Sequence, residues 1–443
     1  MSRKLIGLLL AAGVLLLLSV ASATGRVLPL HAQEVARIAH LGTDGTVWLT
    51  DADGEDTERL TELDGFSSLD WSADGKRLLL VSGGPLAGAP GEIYVLDVEG
   101  RETVKVGDGY APVWSADGGH ILYVSNFTPS EEGTEQSLLR HDLESGTDQE
   151  LRSQRWVSGL WPIQRVQYSA DEQLIAVYVA GLELEGQIVI VDSEGSLVWE
   201  VPDFVYSDAS FDWSSDSQEL VYRDSGQPFM GGEEPSLKIV RPDTQEIRKS
   251  FDEAGFWPRW SPDGERIAAL LWAEGGGFQV MLVDARAGEL TLLSEEVFGD
   301  LWNSELRWSP DGSSLLFTSV EEEQGSVHVM GLDGGVNSIA EGDNPMVRWS
   351  PDGDHIAMAV GEGEEREIFV MGADGSGLQK VADGWMPAWR PVTEAEPGPA
   401  RVCGLPLIGS AGMAVLALTS LRARGRRHEE QGELRSDDGE AAL

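Results

Sequence analysis

Trp260-Ser261-Pro262-Asp263-Gly264 returns as Trp308-Ser309-Pro310-Asp311-Gly312 and again as Trp349-Ser350-Pro351-Asp352-Gly353. Near-copies stand at Trp71-Ser72-Ala73-Asp74-Gly75, Trp114-Ser115-Ala116-Asp117-Gly118 and Trp213-Ser214-Ser215-Asp216. A decayed copy is Tyr168-Ser169-Ala170-Asp171, and Trp389-Arg390-Pro391 is the last. The chain is therefore one small unit repeated about every 40 to 50 residues. In such a turn Pro fixes φ, Gly takes a positive φ and Asp accepts hydrogen bonds from turn amides. The indole of Trp71, Trp114, Trp213, Trp260, Trp308, Trp349 and Trp389 packs between units. These residues are assigned to folding and none of them to chemistry.

Each tight turn is followed by a short apolar run: Leu78 to Val81, Ile121 to Val124, Leu174 to Tyr178, Ile267 to Leu271, Leu315 to Phe317 and Ile356 to Ala359. A second run ends in an acidic turn, as in Ile93 to Asp97, Ile188 to Asp192 and Val280 to Asp284. A third, weaker run leads into the next Trp. Runs of four to six Val, Ile and Leu residues bounded by Gly, Asp and Ser read as strands, and no stretch from Gln33 to Val392 keeps a helical period. Four antiparallel strands per unit, with the Trp strand innermost, predict an all-β chain folded as a β-propeller.

The two ends of the repeat array complete each other. The segment from Ala36 has the later strands of a unit but no Trp strand, whereas Trp389-Arg390-Pro391 is a Trp strand with nothing after it. Pairing them closes the ring without exposed sheet edges and makes eight four-stranded blades. Seven remains the alternative, because the Tyr168 unit is degenerate and the spacing before it is the longest.

These repeats resemble those of the TolB-like (WD40-like, PD40) propeller family, which read roughly Trp-Ser-Pro-Asp-Gly, Ile-Ala-Phe, Ile-Tyr-Val-Met-Asp. The likeness covers 36–392 and implies the propeller architecture. Relatives of this kind serve as envelope binding proteins, and the same blades occur as the non-catalytic part of some serine peptidases, so function must be argued from the site. TolB itself looks like an α/β domain followed by a propeller, and here only a few residues separate the leader from the first blade.

Both chain ends point to a membrane. Ser2-Arg3-Lys4, an apolar stretch from Leu5 to Val20 and Ala21-Ser22-Ala23 have the form of a signal peptide over 1–23, with an uncleaved anchor as the alternative. After a linker at 393–401, Val402 to Leu421 is free of charge, and at about 1.5 Å per residue it spans about 30 Å, enough for a transmembrane helix over 402–421. Arg422, Arg424, Arg426 and Arg427 follow, and basic residues stay on the cytoplasmic side, so 422–443 is expected inside and the propeller outside. A processed sorting signal is the competing reading of this tail. Cys403, the one cysteine, excludes an intramolecular disulfide.

Asp plus Glu number 75 against 32 Lys plus Arg, a net charge of -43. Phosphate binding needs a basic face, which argues against nucleic acid as a partner. The string Asp51-Ala52-Asp53-Gly54-Glu55-Asp56 falls short of an EF-hand loop and sits at a repeat turn, where Asp serves its own amides. The seven histidines show no ligand spacing, so neither a metal site nor a cofactor is expected. No Gly-x-Ser-x-Gly elbow domain follows Arg390. An enzyme assembled across blades, a lyase or glycosidase acting on polysaccharide, is the alternative to a binding module.

The variable loops, among them Gly83 to Gly91, Arg223 to Ser236 and Ala273 to Gly277, fall on the face opposite the uniform turns, and length variation marks a binding face. Aromatic and Arg side chains recur there: Tyr110, Phe256, Trp257, Trp302 and Trp385, with Arg155, Trp156, Trp161 and Arg165 on the longest crossover. They are the candidate anchors for a protein, peptide or glycan partner at the cell envelope. Filling the gaps between blades is their alternative role.

Overall fold

Ser261 Oγ donates to Asp263 Oδ1 at 2.5 Å and accepts the N–H of Arg266 at 2.9 Å, while Asp263 Oδ1 also accepts the N–H of Glu265 at 3.0 Å. The same knot recurs with Ser72 and Asp74, Ser115 and Asp117, Ser169 and Asp171, Ser214 and Asp216, Ser309 and Asp311, and Ser350 and Asp352. The Ser of the motif therefore holds the turn as firmly as the Asp does. Gly264, Gly312 and Gly353 take φ of +69°, +69° and +76°, and in the degenerate copies Glu172 and Ser217 adopt the same region at +57° and +63°. An L-residue there costs about 1 kcal/mol or more, which the knot offsets.

The structure, a computed structural model, describes residues 36–392 apart from 84–90, 127, 131–132, 157–162, 181–184, 207–210, 227–234, 253–254, 300–305 and 322–323. The signal peptide, linker, transmembrane segment and tail expected from sequence lie outside the described residues. Among those described, no helix is long and apolar enough to cross a membrane. The fold there is all-β, with one 3-10 turn at Gly363–Glu365.

The strands build six four-stranded antiparallel sheets and one of eight strands. Five of the four-stranded sheets are consecutive meanders over 163–206, 211–251, 256–292, 306–342 and 346–383, each starting with its Trp or Tyr strand. The sixth runs in the order Thr57–Arg59, Val47–Asp51, Arg37–Leu41, Trp385–Trp389. The two chain ends thus meet in one sheet, with Ile38 opposite Trp389 and Ala39 opposite Ala388.

The eight-stranded sheet departs from the expectation of separate units. Thr103–Trp114 is one continuous strand: its first half pairs with Gly91–Asp97 of the preceding unit and its second half with His120–Ser125 of the next. Glycine makes the passage feasible. A Cβ on Gly107 would lie 2.5 Å from Tyr123 Oη, and one on Gly109 would overlap the carbonyl of Val124.

Alternation along each strand sends side chains to both neighbouring sheets. Ala39, Leu41, Val47 and Leu49 share a core with Phe66, Trp71, Leu78 and Leu80 of the following sheet, whereas Ile38 and Trp389 join Ala357, Ile368 and Val370 of the last sheet. The closing sheet is therefore wedged between the second and the last, and no hydrophobic face of it is left open.

Candidate functional site

The inner strands position the site. At several junctions the backbone carbonyl one residue ahead of a motif Trp or Tyr accepts the indole N–H of the next unit. Trp114 Nε1 donates to Asp70 O (3.4 Å), Trp213 Nε1 to Gln167 O (3.3 Å), Trp308 Nε1 to Arg259 O (3.0 Å) and Trp389 Nε1 to Arg348 O (3.2 Å). The motif Trp thus fixes how neighbouring inner strands sit, beyond filling the gap between them.

Where the inner strands Phe66–Trp71, Leu306–Trp308, Met346–Trp349 and Trp385–Trp389 converge they enclose a cavity of about 660 Å³. Trp71, Trp349 and Trp389 supply indole surface, Pro310, Pro351, Pro387 and Pro391 supply rigid apolar walls, and Arg307, Arg348 and Asp70 supply charge. Asp70 is exposed to solvent within the cavity, its Oδ1 accepting the Trp71 N–H at 3.0 Å. The residues one before Trp260, Trp308 and Trp349 are all Arg in a chain with 32 basic residues. That recurrence is the sequence signal for this site.

The candidate anchors are dispersed. Tyr110 is 6% exposed; its hydroxyl donates to Ile163 O at 2.6 Å and meets the Gln136 amide, whose Oε1 accepts the Ile163 N–H at 2.9 Å. Burial pushes its pKa up to about 12. It clasps two successive units, the gap-filling role that stood as the alternative to an anchor. Phe256 is half-buried under the Arg223 guanidinium (4.0 Å) and beside Trp257, whose φ is +49°. Trp385 is half-buried with Arg366 over its ring at 4.5 Å, and Arg165 stacks on Phe211 at 4.6 Å. Among the described candidates, Phe256 and Trp257 come together. Arg155 and Trp156 are described as backbone alone, at the end of the strand Thr147–Trp156, and Trp161 and Trp302 lie outside the described residues.

A buried polar cluster stands at the stem of the variable loop after Arg223. Lys238 Nζ sits 2.6 Å from Asp224 Oδ2 and 2.9 Å from Asp203 Oδ1, and Tyr222 Oη donates to Asp203 at 2.5 Å. Asp224 also accepts the N–H groups of Gly226 and Ser236, so both ends of the loop hang from one carboxylate. Burial first, then the Asp203 carboxylate, drives the Tyr222 hydroxyl far above its ordinary pKa. The cluster is satisfied internally and reads as a loop anchor.

Among the described residues no group of three or more His, Cys, Asp or Glu is placed to hold a metal. In the acidic string, Asp51 and Asp56 pair with Arg37 at 2.9 and 3.4 Å and Asp53 accepts the N–H of Glu55 at 3.1 Å. His355 is exposed as its strand-start position implies; His120 is half-buried, 3.2 Å from Asp142.

Residues 175–391 match the PD40 family, described as the TolB beta propeller domain. A 61-residue stretch is 39% identical to the uncharacterized peptidase YuxL of Bacillus subtilis (strain 168), covering 14% of this chain and 9% of that protein, so the match spans less than a tenth of its curated relative. Among solved structures, dipeptidyl peptidase 4 of Porphyromonas gingivalis superposes with a TM-score of 0.55 at 10% identity, over 77% of this chain and 57% of that one. A eukaryotic initiation factor gives 0.50 at 14% identity, over 80% and 98%. Identities this low speak for the fold alone. The repeats over 175–391 thus belong to the TolB beta propeller domain family, PD40.

Proposed function

We propose that the chain is an eight-bladed propeller, tethered outside the cytoplasm by the apolar segment 402–421, that serves as a binding or scaffold module for a protein, peptide or glycan. Eight is the count when the eight-stranded sheet is taken as two blades joined through Thr103–Trp114. The observation that carries the binding role is the axial cavity, where indole and proline surfaces are combined with Arg307 and Arg348. Concave, largely apolar sites with a few convergent polar groups are where ligands bind. The experiment is capture from envelope membranes by the full chain and by the Arg307→Ala, Arg348→Ala double variant. A partner retained equally by both counts against the cavity. Protease added to intact cells should digest the propeller and spare a tag at Leu443; a protected propeller refutes the tether.

The alternative, an enzyme acting on polysaccharide, rests on the exposed Asp70 carboxyl group that shares the cavity with Arg348. A proton-transferring role for it requires that Asp70→Asn abolish turnover of an envelope polysaccharide while leaving its binding intact.

A further inference from the structure

A second concavity opens on the variable-loop face. Trp272 ends the strand Arg266–Trp272 and is 49% exposed. Beside it runs Gly275-Gly276-Gly277, with φ of +101°, +102° and +80°, a path closed to other residues. Together with Val297, Phe298 and Gly299 they form a groove of about 510 Å³ with Glu321 on its rim. A Cβ on Gly277 would overlap the carbonyl of Phe298, and one on Gly299 that of Val320, so glycine sets the width of the groove. Exposed Glu274, Glu295 and Glu296 flank it in sequence, and among the described residues no Lys or Arg lines it.

The rest of the molecule indicates what the groove lacks. Among the described residues the chain lays its own guanidinium over five aromatic rings: Arg77 on Trp114, Arg165 on Phe211, Arg223 on Phe256, Arg366 on Trp385 and Arg390 on Trp71, at 4.0 to 5.7 Å. Trp272 and Glu321 line one groove, and among the described residues none of these guanidinium contacts falls on the Trp272 ring. We infer that this groove docks an arginine or lysine side chain presented by a basic segment of a partner protein, the cation lying against the Trp272 indole and paired with Glu321. The occupant follows from charge complementarity: indole faces attract cations, an Arg-carboxylate contact is charge-assisted, and the surrounding acids bring a basic segment in. The assignment rests on the binding role proposed above and gives its partner a chemistry.

The test is calorimetric titration of the full chain in detergent with a capped Gly-Arg-Gly-Arg-Gly peptide. Trp272→Ala should weaken binding about five-fold, Trp272→Phe less, and Glu321→Gln by a similar factor. Glu55→Gln removes the same charge from an exposed turn of another sheet and should change nothing. Because Trp272 is half exposed, all variants should keep the wild-type thermal midpoint. Equal weakening by Glu55→Gln and Glu321→Gln, or none by Trp272→Ala, overturns the assignment, since the peptide is then held by overall charge alone. Where an envelope partner is captured equally well by wild type and Trp272→Ala, the groove is refuted and the binding role stands. Peptide affinity lost in Trp272→Ala with no envelope partner captured upholds the groove and counts against the envelope role.

Discussion

Trp71 donates its indole N–H to the carbonyl oxygen of Ala388, 3.0 Å away and 317 residues further along the chain. The bond repeats the relation seen at Trp114, Trp213, Trp308 and Trp389, so the junction between the chain ends is built like the interior junctions. Arg390 adds a hydrogen bond from Nε to Gly75 O at 2.8 Å and stacks over Trp71.

This clasp should be measurable. A buried hydrogen bond contributes about 1 kcal/mol net, and a stranded donor costs at least as much. Trp260 Nε1 is buried without an acceptor. Trp71→Phe should therefore lower the stability of the full chain by about 1 kcal/mol more than Trp260→Phe in denaturant unfolding. Equal losses mean that the indole acts by volume alone.

Deleting residues 389–392 removes the pairing of Ile38 with Trp389 and uncovers an edge of the closing sheet. Amides of Val47 to Thr50, one strand further in, should lose hydrogen-exchange protection although they are more than 300 residues from the deletion. Full protection in the truncated chain means that the closing sheet does not depend on its last strand.

The turn knots set an acid limit. Hydrogen bonds from Ser and from backbone amides hold Asp117, Asp263 and Asp311 below the usual carboxylate range, as they do Asp74, Asp171 and Asp352 against a desolvation that opposes them. A carboxyl lowered on folding adds stability above its unfolded pKa and loses it as pH falls through the folded value. The thermal midpoint should accordingly drop steeply below about pH 4. Ser309→Ala should make that drop shallower, at a cost near neutral pH of about 1 kcal/mol.

Histidine acts in a higher window. His40 and His328 are buried, and burial lowers both to about 4. His40 Nε2 meets Thr50 Oγ1 at 2.9 Å, and the His328 ring lies between Ser319 and Ser338, stacked on Phe317. A base with a lowered pKa favours the unfolded chain as soon as the unfolded imidazole can protonate. Stability should fall gradually from about pH 6.5 to about pH 4, before the carboxylate limit is reached. His328→Gln should flatten that interval; an unchanged slope means that His328 is not among its causes.

The fold was legible because the turn chemistry is local. Ser, Asp and Gly at fixed offsets bend the chain wherever they occur, and the apolar runs from Leu78 to Val81 or Ile267 to Leu271 carry their own period. The continuous strand Thr103–Trp114 was not legible, since Gly107 and Gly109 act only against Tyr123 and Val124, whose approach no local pattern encodes. The candidate site was harder for the same reason. Tyr110 and Trp272 are both aromatic residues near the loop face, yet one is sealed under Gln136 and the other half exposed, and only three-dimensional neighbours separate them. Arg307 and Arg348 line the cavity from inner strands whose convergence is a non-local feature that no local pattern encodes.

Where the junction bond forms, at Trp71, Trp114, Trp213, Trp308 and Trp389, the carbonyl before one motif's aromatic residue accepts the indole N–H of the next unit. A unit that holds both the indole and the carbonyl carries both halves of that bond when it is copied, so its duplication creates a junction that is chemically matched. Duplication of such a unit is then limited by curvature and side-chain volume more than by this hydrogen bond. The donors that have no acceptor, at Trp260 and Trp349, mark the junctions where an inserted repeat would break no indole bond.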